Sequence, residues 1–282
     1  MLIKNESETV FKPSVNVRAL LIIAHPDDEC MFFGPAVLRL RQLGARLQVL
    51  CLSAGNYYHE GEQRRKELFD SCGVLGIPAS QVTIIDNKEL PDDPSVVWST
   101  HIVSSLILKQ VKESSTNLDC WTHSAVSHSQ KFGAAGGIVV RAATLRRILI
   151  QILLHAIVIL KKVLTFDGRG VSGHANHIAI YRGLSYLAST RTKPNGCCFL
   201  ALQSVSTVRK YLSLLDLPIT WLCKSDFWCI TGFEEYCQAK RAMFCHRSQL
   251  LWFRYFYLLF SRYMFINTFQ VITQREGNLK IQ

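Results

Sequence analysis

The sequence predicts an α/β fold: a Rossmann-like, mostly parallel sheet flanked by helices, in a single domain with an atypical insert. Three observations carry this expectation. Short apolar runs suited to buried strands alternate with longer helix-like segments, the pattern of a parallel sheet with helices on its faces. Two clusters of His and Asp each stand directly after such a run, at the edge of an open sheet where ligands bind. A chain of 282 residues is also long enough to bury one large core with extensions around it.

Residues 1–17 are polar and expected to be poorly ordered. Residues 18–24 read as the first strand, through the apolar Ala19-Leu20-Leu21-Ile22-Ile23, and lead into His25-Pro26-Asp27-Asp28-Glu29. Unaided, the adjacent carboxylates of Asp27 and Asp28 would repel and raise each other's pKa. A divalent cation resolves the conflict, since imidazole and carboxylate oxygen are ordinary zinc ligands. Pro26 keeps the loop bent, so that His25 and Asp28 can face one point. The plainer alternative is a helix start, with Asp27 or Asp28 as N-cap and Glu29 in the first turn. A helix over 30–44, a strand over 47–52 and a turn at 53–56 follow. The helix over 62–73 carries Arg64 and Glu67 at i, i+3, which by itself fits a surface ion pair worth under about 1 kcal/mol. A third strand is expected over 82–85 and a helix over 96–112.

Residues 119–162 interrupt the alternation. A Ser/His/Gly-rich stretch, 122–137, precedes an apolar run, 148–160, flanked by Arg146-Arg147 and Lys161-Lys162. That run is too short to span a bilayer comfortably; it fits an interfacial helix, a re-entrant segment, or a piece that a compact domain cannot absorb. His123, His128 and His155 within the insert are not read as metal ligands. A strand over 163–167 then leads into Ser172-Gly173-His174-Ala175-Asn176-His177. Helical i, i+3 spacing would place His174 and His177 on one face. Either could complete a site with His25 and Asp28, giving three protein ligands and an open position. The insert abuts this strand and is placed to shift both histidines.

A helix over 178–187 and a final strand over 197–203 come next, and then a long aromatic segment, 247–264. On a helical wheel Arg247, Arg254 and Arg262 fall within an arc of roughly 80°. Trp252, Phe253, Phe256, Leu259, Phe260, Tyr263 and Met264 cover the opposite side. The pattern fits a helix lying in a membrane interface or one packing its aromatic face on the core. Residues 268–282 read as a tail, which bounds the domain at 18–267.

The net charge of +11 is unevenly spread: residues 119–162 carry 6 basic and 1 acidic side chains, and residues 191–282 carry 12 and 5. No nucleic-acid motif accompanies it, and a membrane surface or a phosphate-bearing substrate accounts for the same charge. The 10 cysteines show no paired C-x-x-C and no secretory signal opens the chain, which suits reduced thiols facing the cytosol. Asn5-Glu6-Ser7 is discounted as a glycosylation acceptor on the same ground.

The motif A-H-P-D-D-E followed by G-H-x-x-H resembles the PIG-L/LmbE-like family of zinc-dependent de-N-acetylases. Further likeness is carried by Ser53-Ala54-Gly55-Asn56-Tyr57-Tyr58, Thr165-Phe166-Asp167, Gly170-Val171-Ser172-Gly173-His174 and Cys245-His246-Arg247-Ser248-Gln249-Leu250-Leu251-Trp252-Phe253. The resemblance covers 18–118 and 163–267. It implies zinc held by His25, Asp28 and His177, with Asp27 as general base toward the attacking water. His174 would be the cationic group stabilising the oxyanion, and Arg64 would touch the substrate. It also implies hydrolysis of the N-acetyl group of phosphatidylinositol-linked N-acetylglucosamine, the second step of glycosylphosphatidylinositol anchor synthesis. The place implied is the cytoplasmic face of the endoplasmic reticulum membrane. The N-terminal apolar span that holds vertebrate relatives there is not found in residues 1–17. Two other readings stay open: an interaction protein or inactive form whose insert has spoiled the site, and a deacetylase of a soluble amino sugar.

Overall fold

The computed structural model describes residues 17–93, 95–116, 161–190, 194 and 196–273. In chain order these form β1 (Arg18–Ile23), α1 (Asp28–Met31), α2 (Gly34–Gln42), β2 (Arg46–Cys51), α3 (Gly61–Val74), β3 (Val82–Ile84) and α4 (Thr100–Thr116). After the insert come β4 (Lys161–Phe166), the single turn α5 (Gly170–Gly173), α6 (Ala175–Ser189), β5 (Cys197–Leu202), α7 (Thr207–Lys210) and α8 (Leu217–Leu222). The chain continues through β6 (Phe227–Ile230), α9 (Phe233–Met243), α10 (Trp252–Phe260) and β7 (Ile266–Val271).

All seven strands join one sheet in the order β3-β2-β1-β4-β5-β7-β6. The first five run parallel, and β7 is antiparallel to both β5 and β6. The central strands are apolar on both faces because both faces are covered. Ala19, Leu21 and Ile23 of β1 enter a core shared with α2, α3 and α9. Leu20 and Ile22 point the other way, toward α4 and α6. Strand order reverses between β1 and β4, so the crevice beyond their carboxyl ends is the place where such sheets bind ligands. Both histidine clusters stand there.

The structure corrects several expected boundaries. The helix expected over 30–44 is two, because the chain bends at Phe32-Phe33 and α2 restarts with Pro35 in its first turn. Strand β4 begins at Lys161, so Lys161 and Lys162 belong to the sheet and not to the insert. Lys162 is 2 % exposed, and Lys161 Nζ donates to Val111 O at 3.1 Å. The strand over 197–203 is not the last: β6 and β7 follow it, and β7 takes residues 268–271 out of the tail. The helix expected over 247–264 is broken into a turn at Arg247–Gln249, α10, and a turn at Arg262–Met264. The expected properties of 1–16, of the apolar run 148–160 and of 274–282 lie outside the described residues. After the insert β4 pairs with β1 over Lys161–Leu164 and with β5 along its whole length, and the β5 pairing keeps its carboxyl end in register.

Candidate metal centre and active site

Strand β1 delivers His25, and the loop after it delivers Asp27 and Asp28. Strand β4 leads through α5 to His174 and His177 at the start of α6. A ring nitrogen of each of His25, His174 and His177 lies within 4.8 Å of the others. Asp28 is held from behind: its Oδ2 accepts the backbone N–H groups of Ala24 and His25, both at 3.0 Å. That leaves Oδ1 facing His177 Nε2 at 3.2 Å. His177 Nδ1 stands 3.1 Å from Gly170 O, a contact that fixes the proton on Nδ1 and turns the Nε2 lone pair toward the carboxylate. Nε2 is buried without a hydrogen-bond partner. A lone pair facing a carboxylate oxygen is repulsive unless a cation lies between them, so this donor set suits a divalent metal. Burial opposes ionisation of Asp28, but positive charge on His177 or His25 holds its pKa well below the usual carboxylate range, as a cation between Oδ1 and Nε2 would.

Asp27 takes no part in that convergence. Its pKa is raised by burial and by the neighbouring Asp28, with Arg254 and Arg64 opposing. Arg254 Nη2 is 3.4 Å from Asp27 Oδ2 and Arg64 Nη2 is 4.0 Å from Oδ1. Asp27 stands at the N-cap position of α1, as the helix-start reading has it, but its side chain makes no capping bond and its φ is 118°. His174 differs from expectation. Burial and the imidazoles of His25 and His177 lower its pKa to about 4, so at neutral pH these surroundings favour an uncharged ring and not a cation. Its Nδ1 accepts the Asn176 N–H at 3.4 Å, which leaves the proton on Nε2 as a donor.

Residues 20–187 match the family model described as PIG-L: GlcNAc-PI de-N-acetylase. The chain belongs to the PIG-L family. It is similar to N-acetylglucosaminyl-phosphatidylinositol de-N-acetylase of Bos taurus, 44 % identical over 256 residues, which cover 91 % of this chain and 84 % of that one. A probable enzyme of the same name from Dictyostelium discoideum is 29 % identical, covering 90 % of this chain and 93 % of its own. Among solved structures, the N,N'-diacetylchitobiose deacetylase of Pyrococcus horikoshii superposes with a TM-score of 0.56 at 12 % identity, over 91 % of this chain and 84 % of that one. At that identity the likeness is one of fold.

Three parts of this PIG-L site go beyond the sequence reading, which had Arg64 only as a substrate contact or a surface partner of Glu67. Asp92, in the loop after β3, places Oδ1 3.0 Å from His25 Nε2 and Oδ2 3.5 Å from Arg64 Nη1. Asn176 Nδ2 meets the same His25 nitrogen at 3.0 Å. Burial works against protonation of His25, but its hydrogen bond to Asp92 and the charges of Asp28, Asp92 and Asp27 raise its pKa overall. A Pro-Asp-Asp run after the third parallel strand was the available signal. Arg64 is not the surface partner of Glu67. It is 7 % exposed and pins three strand-end loops together, donating to Pro26 O at 2.8 Å and Gly55 O at 3.1 Å as well as pairing with Asp92. Gly55 has φ +71°, and a Cβ there would lie 2.5 Å from the guanidinium.

The third part is a buried ion pair behind Asp27. His246 Nε2 is 2.7 Å from Glu29 Oε1, and both side chains are fully buried. Glu29 Oε2 accepts the backbone N–H of Asp27 at 3.1 Å, and Ser71 Oγ donates to Oε1 at 2.5 Å. Glu29, Cys30 and His246 also come close enough to suggest a second metal group. Glu29 Oε1 is engaged by His246 Nε2 and the Ser71 hydroxyl, His246 Nδ1 is buried without a hydrogen-bond partner, and Cys30 Sγ donates to Asp27 O at 3.3 Å. Burial opposes both charges, but His246 lowers the pKa of Glu29 and Glu29 raises that of His246. The cluster therefore holds the Asp27 backbone. Beside the centre, an open groove of about 360 Å³ is lined by Asn56, Tyr57, Asn87, Lys88, Asp92 and Asp93 among others.

Proposed function

We propose that this chain is a zinc-dependent de-N-acetylase of N-acetylglucosaminyl-phosphatidylinositol. It releases acetate and leaves glucosaminyl-phosphatidylinositol, the second step of glycosylphosphatidylinositol anchor synthesis, working at the endoplasmic reticulum membrane. The observation that carries the reading is the His177 Nε2 lone pair set against Asp28 Oδ1, with Asp27 beside it and left out of the convergence. The names of the relatives support the substrate.

His25, Asp28 and His177 would hold the zinc, and a proton on His25 would leave as the metal enters. Bound zinc supplies a lowered water pKa and a polarised amide carbonyl. The rest falls to the chain's own side chains. The Asp27 carboxylate, left out of the metal donor set, takes a proton from the attacking water, and burial makes it more basic although Arg254 and Arg64 oppose the rise. The Nε2–H of His174 donates to the oxygen on which charge develops. The proton held by Asp27 then passes to the departing sugar nitrogen, so water is consumed, the C–N bond breaks, and acetate and an amine remain. The polar groove along Asn56, Asn87 and Asp92 offers partners to sugar and inositol hydroxyls. Arg64 can contact substrate there only by yielding part of its hold on Asp92.

The test is acetate release by the purified full chain from lipid-linked and from water-soluble N-acetylglucosamine, with and without chelator, alongside bound zinc. His177→Ala is expected to lose zinc, and His174→Ala to keep zinc and lose turnover. Activity that survives chelation would overturn the metal mechanism. Equal zinc loss in both variants would make His174 a ligand, and turnover of the soluble sugar alone would overturn the substrate.

A further inference from the structure

Helix α10 is apolar on two sides. Its inner side carries Arg254, Tyr257 and Leu258: Tyr257 and Leu258 are buried, Tyr257 OH donates to Met31 O at 2.8 Å, and Arg254 reaches Asp27. Its outer side carries Trp252, Phe253, Tyr255, Phe256, Leu259 and Phe260, between 45 % and 74 % exposed. No charged residue interrupts that side, where a water-facing helix ordinarily sets its polar groups. The rings brace one another, Trp252 against Phe256 at 6.2 Å and Phe256 stacked on Phe260 at 6.5 Å. The three arginines expected on one arc separate: Arg254 turns into the site, Arg262 is fully buried and Arg247 is exposed.

A second exposed apolar segment is tied to the first. Arg262, in the turn just after α10, pairs with Asp216 at 2.7 Å. Asp216 also holds Arg209 at 2.7 Å, which fixes the segment 207–222 against that turn. This segment exposes Val208, Leu215, Trp221 and Leu222, each by 73 % or more. In the sequence Lys210 lies within the second segment, Lys224 just after it and Arg247 five residues before α10, in the part of the chain with 12 basic and 5 acidic side chains.

We propose that α10 and the segment 207–222 form a bilayer-docking face, seating their aromatic and aliphatic side chains among the headgroups of an anionic membrane. The proposal rests on the reading of a lipid-linked substrate, and it fixes which side of the molecule meets the lipid. The occupant is argued from charge and chemistry. A second copy would set one basic face against another, whereas anionic headgroups complement it at about 1 kcal/mol per basic residue near the surface. Trp and Tyr, each with an apolar body and a polar tip, are the side chains enriched at membrane interfaces. A helix of nine residues rises only about 14 Å, under half of a hydrocarbon core of about 30 Å. Among the described residues no helix is long and apolar enough to cross a membrane. The face therefore lies in the plane of the interface. Because α10 also supplies Arg254, docking sets the wall of the catalytic cleft directly on the lipid surface.

The experiment is flotation of the full chain with substrate-free phosphatidylcholine vesicles, with and without phosphatidylserine. The variants are Trp252→Ser with Phe256→Ser, and Trp221→Ser with Leu222→Ser, and Trp252 is followed by quenching with brominated lipid. The wild type is expected to float best on the anionic vesicles, and each double variant to lose about tenfold in partitioning. Bound zinc and turnover of detergent-dispersed substrate are expected to be unchanged, while KM on vesicle-borne substrate rises. Undiminished flotation of both variants, or a Trp252 that brominated lipid does not quench, would overturn the proposal. So would a wild-type dimer in sedimentation that these variants dissolve, since a second copy would then own the face. If flotation behaves as expected but no preparation releases acetate, the docking face stands and the functional reading fails.

Discussion

At the scale of single residues, the backbone of Asp27 carries the most information. A non-glycine residue at φ 118° costs on the order of 1–3 kcal/mol and persists only where its surroundings over-determine it. Here Glu29 takes its N–H, Met31 N donates to its carbonyl at 3.0 Å, and His246 holds Glu29 in turn. The strained backbone sets the carboxylate beside Arg254, whose Nη2 is 3.4 Å from Oδ2. Asp27→Asn is accordingly expected to bind zinc as the wild type does while kcat falls by about 10²–10⁴-fold. Zinc content and acetate release measured on one preparation check this, and loss of metal would show that Asp27 is a ligand. Most of this centre was legible in the sequence, because His25, Asp28, His174 and His177 follow apolar runs in two short motifs. Asp92 was not, since a carboxylate in a loop is ordinary until the fold brings it to His25. Nor was the role of His246, which is 217 positions from Glu29, in a pairing that no local pattern signals.

At the scale of elements, periodicity identified the parallel strands and most of the helices between them, but it was blind to breaks. The 100° repeat of 247–264 runs through Ser261, whose Oγ accepts the Tyr263 N–H and starts a new turn. Strand β6 escaped notice because it has four residues and alternates between buried and exposed. What holds these late elements is the Asp216 cluster. Asp216 is fully buried, accepts from Arg209 and from Thr220 Oγ1 at 2.7 Å, and faces Arg262. Burial raises its pKa, but Arg209, Thr220 and Arg262 together bring it below the ordinary 3.8. A depressed carboxylate pKa contributes stability that is present above 3.8 and lost as pH falls through the folded value. Asp216→Asn is therefore expected to cost roughly 3–5 kcal/mol near neutral pH, since it leaves Arg262 buried and unpaired. The difference from wild type should shrink below pH 3.8. Urea titrations across that range check the sign; a difference that grows on acidification would contradict it.

At the scale of the whole molecule, the insert between α4 and β4 is the main departure from a simple alternating sheet. The elements that flank it adjoin: Lys161 Nζ reaches Val111 O at 3.1 Å, and Arg18, the β1 partner of Lys161, donates to Ser114 O. Deleting 119–160, so that Leu118 meets Lys161, leaves a connection of ordinary length for a helix followed by a strand. The deletion is expected to keep the far-UV spectrum and bound zinc and to raise Tm by a few degrees, because closure entropy changes by only about 0.6 kcal/mol per doubling of loop length. Calorimetry and metal analysis check this, and loss of zinc would show that the insert shapes the centre. The order of strands carries one more consequence. Every proposed zinc ligand precedes residue 178, in the segments that follow β1 and β4, two strands that pair directly. Strand β6 has β7 as its one neighbour among the described residues, and β7 is translated after everything else in the sheet. On the ribosome the metal ligands have therefore emerged while Arg254 and the aromatic helix are still being made. The direction of protein synthesis separates the loading of the metal from the completion of the wall that meets the lipid.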